Sequence, residues 1–83
     1  MTKEEYRTFV MTGRDLMTRY WGDDYSSEEM VQHVLAVTKM GVWCAGKEHG
    51  KKFAEELQKE ILTACVSDLS ESIAALYAME EEP

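Results

Sequence analysis

From Ser26 to Glu82 the chain carries no proline, and almost every residue in that stretch suits a helix. Its first half, from Met30 to Ala45, is apolar nearly all the way round when wound at 3.6 residues per turn. A helix that is apolar on every side needs neighbours on every side, and a chain of 83 residues can hardly supply them. The stretch therefore predicts an all-α protein completed by self-association or by an obligate partner.

Helix starts are marked twice. Thr2 and Glu5 have the spacing of a capping box, with Met1 and Tyr6 as its hydrophobic staple. Ser26 and Glu29 repeat the pattern, with Tyr25 and Met30 as the staple. The first helix is expected at about 3–20. Its buried seam is Tyr6, Val10, Gly13, Met17 and Tyr20, widened by Phe9 and Leu16. Gly22 serves as its C-cap glycine.

A second helix is expected at about 27–46, because Gly46 and Gly50 bracket Lys47-Glu48-His49. Against a break stand Lys51 and Lys52, unfavourable charges at a helix N-terminus, and the pair Glu48–Lys52, which crosses it, followed by Glu55–Lys59. An unbroken helix from Ser27 to Met79 would be about 80 Å long and would fit only a coiled assembly. The third helix is expected at about 51–79, with Asp68 and Glu71, at capping-box spacing, as an alternative helix start. It carries Phe53, Leu57, Ile61, Ala64, Leu69, Ile73 and Leu76 on its apolar face, with Asp68 inside that arc. Residues 80–83 form an acidic tail. The expected architecture is a single domain, 1–83: a small three-helix bundle completed by homo-oligomerisation, the second and third helices alternatively one long bent helix.

The net charge of −7 lies mostly toward the C-terminus, where residues 51–83 hold three bases against eight acids. Neutralising nucleic-acid phosphates requires a basic footprint, so direct nucleic-acid binding is not expected. A nucleic-acid mimic ranks low as well, because the acids do not run along one face. Acidity favours solubility and a partner with a basic surface. The chain opens without the pattern of a targeting segment, and Gln32, His33 and Lys39 interrupt the most apolar window. A cytoplasmic protein with reduced Cys44 and Cys65, and no membrane association, is the expectation.

No nucleophile–base unit, paired metal-ligand motif or phosphate loop is present, so no catalytic residue and no cofactor are assigned. His33, Met40 and Cys44 share one stripe of the second helix. Seven residues separate His33 from Met40, about 10 Å of rise, so one chain cannot close a metal site from them. The expected partner-binding surface is the aromatic and acidic turn of Tyr20, Trp21, Asp23, Asp24 and Tyr25. Val34, Val37, Gly41, Trp43, Gly46 and Gly50 are the expected oligomer interface. Lys3, Arg7 and Arg14 form a basic stripe suited to an anion such as a nucleotide, or to acids on a neighbouring helix.

Tyr25-Ser-Ser-Glu-Glu ahead of an apolar run resembles a helix start in the small acidic immunity proteins that inhibit nuclease colicins. The aromatic Pro-Ser-Gly loop those proteins use has no counterpart, since Pro83 is the only proline, and no function is carried across. In general character the chain is similar to small acidic helical inhibitors of the phage and plasmid accessory type. The expected function is a non-enzymatic protein-binding module, an inhibitor or adaptor of a basic protein. The alternative is an oligomer that sequesters a nucleotide or another small anion.

Overall fold

A computed structural model describes residues 1–22, 27–64 and 66–81, and these are helical almost throughout. Four helices follow one another: α1 (Lys3–Tyr20), α2 (Ser27–His49), α3 (Lys51–Leu62) and α4 (Ser67–Glu81). No described helix is long and apolar enough to cross a membrane.

α1 begins where its capping box sits. The Glu5 amide donates to Thr2 Oγ1 at 3.1 Å, and the Thr2 amide donates to Glu5 Oε1 at 2.7 Å. Just past the Trp21 C-cap, Gly22 takes φ 89°, the left-handed conformation that glycine adopts without a Cβ clash. The second expected box cannot be followed in the same way, because Tyr25 and Ser26 lie outside the described residues.

α1 crosses α2 closely at one point. A Cβ built on Gly13 would sit 2.2 Å from Thr38 Oγ1, so only glycine admits this approach. Thr38 is buried there, and its hydroxyl donates to the Val34 carbonyl at 2.7 Å, which satisfies it.

α2 runs to His49, longer than the expected 46, and α3 follows after the single residue Gly50. Gly50 stands at φ 102° and ψ 158°, a region essentially reserved for glycine. Backbone bonds continue on either side of it, from the Gly50 amide to the Gly46 carbonyl and from the Ala54 amide to the Gly50 carbonyl. The chain therefore bends at one joint between two nearly abutting helices. The expected Glu48–Lys52 bridge gives way to a different pairing, in which Glu48 binds the Met1 amine and the Tyr6 hydroxyl.

The expected third helix, about 51–79, is two helices, and the bundle has four rather than three. α3 stops at Leu62, and α4 starts at Ser67. Ser70 fastens the break: its hydroxyl donates to the Ala64 carbonyl at 2.8 Å and its amide to Val66 at 2.9 Å. The break re-phases the chain, and Asp68 lies exposed in the first turn of α4, as expected if the apolar arc drifts to its exposed edge there rather than burying the carboxylate. A carboxylate is favourable at that end of a helix.

The core gathers one stripe from each helix. Val10 and Met17 of α1, Val31 and Leu35 of α2, Leu57 and Ile61 of α3, and Leu69 and Ile73 of α4 are essentially fully enclosed. Burying a side chain of this size stabilises the fold by about 1.5–3 kcal/mol. The radius of gyration, 12.4 Å, is close to the ~12 Å expected for a compact chain of this length.

Candidate interaction surface

The single chain covers only one side of α2. Val31, Leu35, Thr38, Val42 and Ala45 face inward, while Val37, Met40 and Trp43 remain 45%, 68% and 62% exposed. Beside them on α1, Phe9 is also exposed. Two grooves between α1 and α2 share Phe9 and Val37 as walls. One of about 300 Å³ is lined by Met1, Tyr6, Phe9, Met40, Gly41 and Cys44 together with Val37, and the other, of about 170 Å³, extends it past Leu16 and His33. They form one apolar furrow, with the exposed thiol of Cys44 at one end. Contiguous exposed apolar faces on small proteins commonly serve as interaction sites.

The expected interface residues divide between two uses. Val37 and Trp43 stand on the open face, and Lys47 Nζ lies 4.2 Å from the centre of the Trp43 ring. Val34 is half-buried in the α1–α2 seam. Gly41 accommodates the Phe9 ring, Gly46 faces Ala54 across the α2–α3 bend, and Gly50 makes the bend. These four serve the chain's own packing. Met40 and Phe9 are the residues that sequence reasoning missed. In the sequence Met40 reads as a buried packing residue rather than a metal ligand, and Phe9 as part of the buried α1 seam; in the fold both are exposed.

In the expected turn surface, Tyr20 is half-buried and Trp21 packs against the core with partial exposure. Asp23, Asp24 and Tyr25 lie outside the described residues.

The basic stripe is engaged by α3. Arg7 meets Glu56 at 3.8 Å, and Arg14 meets Glu60 at 3.3 Å and Asp15 at 3.9 Å. Lys3 Nζ and Arg7 Cζ stand 5.5 and 5.3 Å from the centre of the Phe53 ring. The adjoining hollow of about 320 Å³ is lined by Arg7, Met11, Glu56, Leu57, Lys59 and Glu60, so an anion entering it meets carboxylates as well as cations.

One polar knot ties the N-terminus to the end of α2. The Met1 amine and the Tyr6 hydroxyl both donate to Glu48, and His49 Nε2 lies 2.8 Å from the Met1 carbonyl oxygen. The imidazole stands edge-on between the Tyr6 and Phe53 rings, 5.6 Å from each. Hydrogen bonds from the amine and from Tyr6 hold the Glu48 carboxyl below its ordinary value. The bond to Glu48 pushes the Tyr6 phenol up to about 12. The contact thus favours an ionised Glu48 and a protonated Tyr6. No group of three His, Cys, Asp or Glu side chains suited to a metal occurs among the described residues.

Set beside known protein families, curated proteins and solved structures, the chain matches none of them.

Proposed function

We propose that this protein is a small acidic, non-enzymatic protein-binding module, an inhibitor or adaptor that meets its partner through the apolar face where α1 and α2 join. The observation that carries this reading is the exposure of Phe9, Val37, Met40 and Trp43 side by side. Between Glu29 and Lys47, that outward face of α2 carries no Asp, Glu, Lys or Arg. Large apolar and aromatic side chains of this kind are the usual anchors of protein interfaces, and the net charge of −7 favours a partner with a basic surface.

The alternative, sequestration of a nucleotide or similar anion by Lys3, Arg7 and Arg14, is weaker because Arg7 and Arg14 already face Glu56 and Glu60. Capture from a cell extract by the immobilised protein tests the main reading. Loss of the captured protein with Phe9→Ala/Val37→Ser, and its retention with Trp21→Ala, is the expected result. Capture that survives the first pair and fails with Trp21→Ala moves the site to the α1–α2 turn. Thermal stabilisation by millimolar ATP would favour the anion alternative instead.

A further inference from the structure

We propose that two copies of this chain pair through the outer stripe of α2, running antiparallel. This rests on reading the outward face of α2 as an interaction surface and names what covers part of it. Glu29, His33, Ala36, Met40, Trp43 and Lys47 are all exposed, and they follow one another at intervals of four, three, four, three and four residues. That is the heptad spacing with which one helix presents a continuous seam to another. The seam points away from the protomer's core, whose α2 residues Val31, Leu35 and Val42 lie on the opposite side.

Charge selects the occupant and its direction. The seam begins with an acid, Glu29, and ends with a base, Lys47. A second copy laid parallel would set Glu29 against Glu29 and Lys47 against Lys47. Reversed, it brings each Glu29 to the Lys47 of the other copy. His33 then faces Trp43, ring beside ring, and the small Ala36 faces the long Met40. One seam thus complements itself under a two-fold axis, which is the requirement of an isologous dimer. The helix dipoles oppose one another in the same arrangement. From Glu29 to Lys47 the seam is about 27 Å long. Its flank adds Met30, Val37 and Cys44, all exposed.

Sedimentation equilibrium tests the pairing, with circular dichroism confirming that each variant keeps its helices. The wild-type chain is expected at twice its 9.5 kDa mass at micromolar concentration, and Met40→Glu at that mass. Glu29→Lys alone and Lys47→Glu alone each place like charges together twice per dimer and are expected to weaken pairing about tenfold. An equimolar mixture of these two variants restores every opposite pairing and should return to the wild-type dimer constant. A wild-type chain that stays monomeric overturns the proposal, as does a mixture that pairs no better than its components. Either failure leaves the capture experiment standing when it is read with Phe9→Ala alone, because Phe9 lies on α1 outside the seam.

Discussion

At Tyr6 and Glu48, side chains from the start of α1 and the end of α2 share a proton-dependent contact that the Met1 amine completes. The direction of each shift sets where this contact stabilises the fold. Glu48 is held below 4.5 by its hydrogen bonds, so its contribution is present above pH 4.5 and is lost as pH falls through the lowered value. The amine, raised from 8.0 chiefly by its bond to Glu48, contributes fully below pH 8.0 and stops contributing above its folded value. Tyr6 contributes below pH 10 and is lost as pH rises through about 12. The stability difference between wild type and Glu48→Gln is therefore expected to peak between these limits and shrink toward acid and toward alkali. Urea titrations across pH check this, and a difference that is flat from acid to alkali would refute it. Neither Glu48 nor His49 announces this role in the sequence. Glu48 reads there as the partner of Lys52 four residues on, and a contact reaching back to residue 1 has no local signal.

The joint at Gly50 decides how α2 and α3 meet, and its chemistry explains why bend and continuous helix were so nearly balanced in the sequence. Uncapped helix starts with lysines in the first turn are poor, which argued for continuity. Glycine at φ 102° nevertheless allows the turn within one residue, with backbone bonds continuing on both sides. A Cβ on Gly50 would meet nothing within 4 Å, so any cost of a side chain there is purely conformational. Gly50→Ala is expected to destabilise the fold by about 1–3 kcal/mol, read from chemical denaturation. An unchanged midpoint would show that the bend is dispensable. α1 was legible to the residue because its signals are local: a capping box, a 4-3-4-3 seam and a C-cap glycine. The break between α3 and α4 was harder to see, since both helices direct apolar residues to the same core. Its trace is the five-residue step from Ala64 to Leu69, between buried residues otherwise three or four apart, which a single helix cannot keep on one face.

Across the whole molecule, the demand that α2 be covered on every side is met on one side by α1, α3 and α4 and left open on the other. The apolar residues were therefore readable, but which of them the chain would cover was not. That depends on how the helices divide the space around α2, and no periodicity in α2 itself records it. Pairing of two copies ties stability to concentration. A hundredfold increase in chain concentration is expected to raise the thermal midpoint by about 5–10 °C, and that of Met40→Glu by nothing measurable. Calorimetry at two concentrations distinguishes the cases, and equal midpoints for the wild type would count against the dimer.

The one-residue joint has a kinetic consequence too. Bringing two helices together ordinarily costs the entropy of closing the loop between them, and that cost grows with loop length. Between α2 and α3 there is almost no loop to close. The corner at Gly50 is thus where the chain gains contacts between helices for the least loss of freedom. An early folding nucleus is expected there, and φ-values no higher around Gly46–Ala54 than in α1 would contradict it.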